Sequence, residues 1–561
     1  MKSMLPGESM GLGLKDSDNT PLPTAPAWLD HAIIYQIYPQ SYQDSNGDGI
    51  GDLPGLISRL DYIKSIGMDV IWLNPVFDSP FFDAGYDVRN FRLIAPRYGT
   101  NEDAKQLFAE AHRRGIKVIF DLVAGHTSDQ HPWFIESAKA SANQFSDRYI
   151  WTNDRSVQPD RFISGKYERN GCYQKNFFDY QPALNYGTAN PDPNHPWEQS
   201  VDAPGPQETL AELKSIMTFW MDMGCDGFRV DMASSLIKND PSREKLRILW
   251  RSVRTEFGHK YPDFLLVAEW GCPREAIDAG FHIDFMLHCE TPGYPSLFFN
   301  EMGTFHHPNC YFDLRGKGSP DEFVRNWLEQ NKTVNGRGFI TVPSANHDFQ
   351  RPNCGPRDAS QLRVVWAFLL TWPGVPFIYY GDEIGMRFIE GDDDKEGSVL
   401  VHHANANRAG SRTPMQWDAS NHAGFSSVAD GKKLYLPIDP DPARPSVAEQ
   451  NNDPSSLLNF VRKLIGLRKT RPALRNRSPV SVLTTDQAAY PFVYLRETED
   501  QHILTVLNPS GAPITATVNL DAVTGINPIM ADKVRATLEK GKIKLNMEGV
   551  SYGIFDLNGS F

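Results

Sequence analysis

The stretch GFRVDMASS, residues 227–235, sets Arg229 and Asp231 two positions apart in an otherwise apolar run. On a strand, residues i and i+2 project from one face, so the guanidinium and the carboxylate share a side while Phe228, Val230 and Met232 face away. Taken alone, this is a structural ion pair, the usual way a core tolerates charge. Comparable polar groups close other apolar runs: Asp121 and His126 after IKVIF, Glu269 after LLVA, His347 and Asp348 after FITVPSAN. Three carboxylates, Asp231, Glu269 and Asp348, converging with two histidines and an arginine, suit cleavage of a glycosidic bond. That reaction needs one protonated carboxyl to donate to the leaving oxygen and one ionised carboxylate at the anomeric carbon. On this reading Arg229 keeps Asp231 ionised as the nucleophile. Apolar surroundings beside Trp270 raise the pKa of Glu269 and make it the acid.

A metal-dependent hydrolase competes, since Asp, His and Glu also bind Mg or Zn. The chain has no H-x-H or H-E-x-x-H spacing, and an arginine inside the cluster is a poor neighbour for a cation. It also lacks a G-x-S-x-G elbow, a P-loop, and a G-x-G-x-x-G placed between a strand and a helix.

These groups need a scaffold that brings distant strand ends together. Eight short β-branched and aromatic runs read as strands: 32–39, 69–76, 116–125, 226–234, 264–270, 283–288, 339–348 and 375–385. Helical patterns lie between them, including 51–67, 101–115, 206–224, 321–330 and 359–372. Strand and helix in alternation fit either an open doubly wound sheet or a closed (β/α)8 TIM barrel, and the count of eight favours the barrel. In a barrel, catalytic groups gather at the C-terminal strand ends, which is where the polar residues fall. Two connections, 126–205 and 386–452, exceed ordinary loops. After the helical stretch 454–475 the pattern changes to short alternating runs, which predict a separate antiparallel β-sandwich. The expected organisation is a flexible arm at 1–27, a barrel from 28–125 and 206–476, an inserted loop-3 domain at 126–205, and a C-terminal β domain at 477–561.

Composition narrows the partners. A chain of 561 residues, 40% hydrophobic and 22% charged, is globular and long enough for several cores. A net charge of −13 without a basic run argues against nucleic acid and against a membrane surface. Six cysteines with no C-x-x-C or Cys/His metal spacing suit a reducing compartment. The N-terminal stretch has no apolar core of signal-peptide length, so the expected location is cytoplasmic, or periplasmic if a leader has been removed.

The motifs DLVAGH (121–126), GFRVDMASS (227–235), VAEW (267–270) and SANHD (344–348), in this order, resemble the four signatures of glycoside hydrolase family 13, the α-amylase superfamily. The resemblance covers roughly 28–561 and implies a double displacement through a covalent glucosyl-enzyme. Asp231 is then the nucleophile, Glu269 the acid/base and Asp348 the transition-state stabiliser, with Asp121, His126, Arg229 and His347 around the same glucose. DAGYD (83–87) and RTPMQW (412–417) resemble the oligo-1,6-glucosidase, α-glucosidase and trehalose synthase branch. This likeness implies that Asp83 and Tyr86 hold the terminal glucose and that Arg412 pairs with Asp83 to close the pocket. A closed pocket implies exo-action on short α-linked gluco-oligosaccharides or disaccharides. DSNGDGIGD (44–52) offers oxygens at alternating positions, as a Ca²⁺ loop requires, although an Asp/Gly-rich turn has the same composition. The resemblance favours a structural Ca²⁺ on Asp44, Asn46, Asp48, the Ile50 carbonyl and Asp52. Gly125 stands where the family has asparagine, and Ala183 where the branch has aspartate. Met232 replaces the Val associated with α-1,6 and the Ala or Thr associated with α-1,4 preference, which leaves linkage open. A transglucosylase or disaccharide isomerase shares every one of these catalytic residues. A non-catalytic carbohydrate-binding relative is disfavoured because all three carboxylates remain.

Overall fold

A computed structural model describes residues 21–287, 289–301, 305–391, 395–397, 407–487, 489–520, 523–539 and 541–559. All eight expected strands form: β1 (Ile34–Ile37), β2 (Val70–Leu73), β3 (Lys117–Leu122), β4 (Gly227–Val230), β5 (Leu265–Ala268), β6 (Ile283–Phe285), β7 (Phe339–Thr341) and β8 (Phe377–Tyr379). They pair in parallel in the order β7-β6-β5-β4-β3-β2-β1-β8. A further parallel bridge, Pro343 to Phe377, with Ser344 N donating to Phe377 O (2.9 Å), joins the two ends of that order. The sheet is therefore a (β/α)8 barrel and not the open alternative. Near-continuous burial along each strand explains the apolar runs, since both faces are covered, one by helices and one by the barrel interior.

Local sequence sets the helices. Thr100 and Asp103 form a reciprocal capping box ahead of Asn101–Arg113, and Asp358 with Gln361 does the same for Ala359–Thr371. Pro204 opens Pro204–Met223, and Gly224, at φ 120°, ends it. The single helix expected over 51–67 is two, Leu53–Ser58 and Leu60–Ile66, broken at Arg59. Arg59 is held in the break by Gln43 Oε1 (2.7 Å) and by the Trp417 ring, 4.1 Å from its guanidinium carbon.

After the helix Leu457–Thr470 the chain forms an antiparallel sheet of β9 (Val480–Leu483), β10 (Phe492–Thr498), β11 (Gln501–Asn508), β12 (Ile514–Asn519), β13 (Val523–Glu539) and β14 (Lys542–Gly559). The order is β9-β10-β11-β14-β12, with β13 along β14. A bridge from Thr485 to Val518 brings the two edges together, so the sheet wraps around its own core of Val493, Leu504, Val506, Ile543 and Leu545. Residues 1–20 of the expected arm lie outside the described residues. Pro23 and Thr24, also expected there, are held by their carbonyls to Arg254 Nη2 (2.6 and 3.1 Å). No helix among the described residues is long and apolar enough to cross a membrane, and all six cysteines are unpaired.

Candidate active site

Strand register brings the charged groups together. Asp121 on β3 lies beside Arg229 on β4, and Glu269 and Asp348 follow the ends of β5 and β7. The Arg229 guanidinium joins three carboxylates: Nη1 donates to Asp121 Oδ1 (2.9 Å) and Asp231 Oδ1 (3.1 Å), and Nη2 to Glu269 Oε1 (2.9 Å). Just past β4, Met232 adopts a left-handed backbone (φ 43°), a conformation that costs energy in a non-glycine residue, and its N–H donates to Glu269 Oε2 (2.9 Å).

One cation facing three carboxylates in a water-poor site favours retention of a proton. Burial pushes Asp121 up to about 6 against the pull of Arg229. Burial, then the Glu269 charge, drives Asp231 well above the usual carboxylate range, with Arg229 opposing. The expected pull of Arg229 on Asp231 is present, but burial and the Glu269 charge outweigh it. The reason is geometric: Glu269 receives two N–H donors, from Arg229 and Met232, and its side chain is 23% exposed, whereas Asp231 shares one Arg229 nitrogen with Asp121 and is 10% exposed.

Asp348 has the opposite surroundings. Burial raises it, but His347 and the guanidiniums of Arg408 and Arg412 pull it far below the usual range. Arg408 Nη1 donates to Asp348 Oδ1 at 2.7 Å and Arg412 Nη2 at 3.4 Å. The two arginines carry the effect, because burial holds His347 itself neutral. A hydrogen-bond chain fixes the ring: Gln36 Nε2 donates to His347 Nδ1 (2.9 Å), which leaves the proton on Nε2, facing Tyr86 Oη (2.7 Å). Tyr86 in turn donates to Asp121 Oδ2 (2.9 Å) and stacks on His347, with centroids 5.5 Å apart. His126, pushed down to about 3 by burial, donates from Nε2 to the Tyr86 carbonyl (3.0 Å) and accepts at Nδ1 from Asn176 (2.9 Å).

Asp231, Glu269, Asp348, Asp83, Tyr86, His126 and His347 line one cavity of about 110 Å³. Asp121 and Arg229 lie behind its wall. Arg412 does too, and its expected pair with Asp83 is corrected: it bonds the His347 carbonyl (2.7 Å), Tyr38 Oη (3.4 Å) and Asp348. Arg408 takes the Asp83 contact instead (3.3 Å) while also holding Asp348, so it bridges the two sides of the cavity. Four residues that shape the site escaped the sequence reading as ligands: Arg408, Gln181, which donates to Asp83 Oδ2 (2.8 Å), Phe177 and Asn176. None sits in a periodic element, so pattern carried no signal for them.

The loop 44–52 stands apart from this cavity. Asp44 Oδ1 accepts from the Asn46 and Gly47 amides, Asn46 Oδ1 from Asp48 N, and Asp48 Oδ1 from Ile50 N. Asp52 turns to cap Leu53–Ser58 through Gly55 N (2.7 Å).

A barrel whose strand ends gather three carboxylates around a ring-sized pocket defines a glycoside hydrolase. Residues 36–477 match the model of the α-amylase catalytic domain. The chain belongs to the α-amylase family. It is 32% identical over 533 residues to an oligo-1,6-glucosidase of Parageobacillus thermoglucosidasius, covering 86% of this chain and 90% of that one. It is also 32% identical over 568 residues to the trehalose synthase/amylase TreS of Mycolicibacterium smegmatis, covering 91% and 88%. The isomaltulose synthase of Erwinia rhapontici NX5 superposes with a TM-score of 0.77 at 27% identity, over 95% of this chain and 99% of that structure.

Proposed function

We propose that the protein is a retaining, exo-acting α-glucosidase of short α-linked gluco-oligosaccharides, with Asp231 as nucleophile, Glu269 as acid/base and Asp348 as stabiliser. The observation that carries this reading is the single guanidinium spanning Asp231 and Glu269 (3.1 and 2.9 Å). Carboxyls that close suit retention, whereas inversion needs about 6.5–9.5 Å between them to admit a water. With the glycosidic bond between them, Glu269 as the acid donates a proton to the leaving oxygen. Asp231, as the ionised nucleophile beside Arg229, bonds to the anomeric carbon. Water, deprotonated by Glu269, then releases glucose. Asp348, kept ionised by its arginines, accepts from sugar hydroxyls. Asp83, Arg408 and Gln181 close the far side, which supports removal of one terminal residue at a time.

The same residues serve a transglucosylase or disaccharide isomerase, a second reading favoured by the likeness to the trehalose and isomaltulose synthases. Incubation with maltose, isomaltose, trehalose and sucrose separates them: glucose release marks hydrolysis, a new disaccharide marks transfer. Asp231→Asn is expected to lower kcat on an aryl α-glucoside on the order of 10⁴-fold or more. Retained activity would overturn the mechanism.

Loop 44–52 is read as a Ca²⁺ site. Asp44 and Asp52 are 4% and 5% exposed and neither makes an ion pair among the described residues, so neutral N–H and O–H donors alone meet their charge. Acidic side chains alone do not close around an ion there, so the set depends on Asn46 and the Ile50 carbonyl. The ion would bind the loop to residues 424–433, against which it packs. Chelation should lower Tm by about 2 °C or more, reversibly with Ca²⁺, and Asp48→Ala should abolish the response. An unchanged Tm counts against the ion.

A further inference from the structure

Beyond Met232 lies a second cavity, of about 530 Å³. Met232 lines both spaces, so they meet at the residue after Asp231. Asn176 completes the partition: its Nδ2 donates to His126 on the catalytic side, and its Oδ1 accepts from Lys238 Nζ (3.5 Å) on the other. Arg161, Lys175, Lys238 and Arg243 line this second cavity opposite one carboxylate, Asp240. In a chain of net charge −13, four cations around one space are not a sample of the surface.

Their partners sharpen the point. Lys175 pairs with Asp179 (2.6 Å). The other three donate to oxygens that carry no formal charge: Arg161 to the Asn176 carbonyl, Lys238 to Ser235 O (2.6 Å), and Arg243 to Ser234 O (2.8 Å). Asp240 makes no ion pair with them; its oxygens accept from Leu246 N (2.9 Å) and Ser242 Oγ (3.3 Å). Ser235 Oγ is buried in the same wall without a partner. Burial and the neighbouring Arg161 charge push Lys238 down to about 7, as expected of a cation held without a counter-ion. The catalytic pocket is closed on the other side by Asp83 and Arg408. A substrate whose terminal glucose fills it carries its aglycone on the side of Met232, the residue that both cavities share.

We propose that the cavity beyond Met232 binds an anionic group, phosphate or carboxylate, carried by the aglycone of the substrate. The inference rests on the α-glucosidase reading and names a substrate class for it. Charge-assisted contacts from Arg161, Arg243 and Lys238 would hold the group, and the free Ser235 hydroxyl would add a donor.

Three aryl α-glucosides test it without presuming a linkage: 4-nitrophenyl, 4-carboxyphenyl, and the 4-phosphate monoester of hydroxyphenyl α-glucoside. At least one charged probe should exceed the neutral one in kcat/KM by tenfold or more, and the gap should shrink with salt. Whichever charged probe is faster identifies the anion. Arg161→Gln and Arg243→Gln should bring the charged-to-neutral ratio close to one. A neutral probe that does as well as both charged ones overturns the inference, as do variants that slow all three probes equally. Should no probe be hydrolysed, the α-glucosidase reading fails, and calorimetry on the intact protein then decides the cavity separately. Tenfold tighter binding of a charged probe, lost in Arg161→Gln, sustains the site, and equal affinities overturn it.

Discussion

Gly125 and Asn176 show how one side chain can stand in for another. A Cβ at position 125 would lie 2.9 Å from Asn176 Nδ2 and 3.1 Å from Ser235 Oγ, so the glycine leaves the space that Asn176 fills. From there Asn176 supplies the amide that bonds His126. Gly125→Asn alone should therefore lower both Tm and kcat/KM, and Asn176→Ala alone should strand the His126 ring nitrogen at a cost of about 1–3 kcal/mol. The double variant should recover much of the loss, giving a coupling of about 1–3 kcal/mol in a double-mutant cycle. Additive effects would show that the two positions act independently. The carboxylates were legible in sequence because each lies at or just beyond the end of an apolar run. Asn176 and Arg408 were not, because a polar residue in an irregular segment has no period to mark which way it points. Arg412 was misplaced for the same reason: four residues from Arg408, it turns beneath His347 rather than toward Asp83.

The short 3-10 element Asp382–Ile384, directly after β8, shows what an element can do beyond placing the site. Its Glu383 is fully buried and accepts from Tyr35 Oη on β1 and Tyr62 Oη on the neighbouring helix, each at 2.8 Å. Burial raises Glu383 to about 7 in spite of those donors. A carboxyl whose folded pKa lies above its unfolded value stabilises most below the unfolded value, near 4.5, and loses that contribution as pH rises through about 7. Glu383→Gln should thus gain stability over the parent by about 3 kcal/mol more at pH 8 than at pH 5, read by urea unfolding. An advantage that does not grow with pH would rule this out. The eight barrel strands were all legible, since strands covered on both faces are near-continuous apolar runs. β13 was not: most of its residues are partly or fully exposed, Pro528 interrupts it, and its register with β14 shifts three times.

Across the molecule, barrel and C-terminal sheet share one seam. Phe492, Tyr494, Ile503, Leu507, Tyr552 and Ile554 belong to the same continuous core as the barrel. Arg496 on β10 donates to the Thr371 carbonyl at the end of Ala359–Thr371, the Thr371 and Tyr494 hydroxyls bond each other (2.6 Å), and Phe492 N donates to Tyr311 Oη (2.9 Å). The intact protein should therefore unfold in one calorimetric transition, and a chain ending at 476 should not yield a soluble folded barrel. Two well-separated transitions would show the seam to be energetically idle. Sequence patterning revealed both units but not this seam, whose bonds join one buried arginine, several hydroxyls and backbone groups and leave no motif.

The wall formed by Gly125 and Asn176 also constrains descent. Gly125 lies three residues past the end of β3 and Asn176 in the long segment inserted after it, so recombination can inherit them separately. A side chain at 125 and the amide at 176 cannot both occupy this space, so restoring the one requires losing the other. Chimeras whose inserted segment lacks the amide at 176 should thus fail at His126, right at the crossover point, because no side chain then reaches the ring nitrogen.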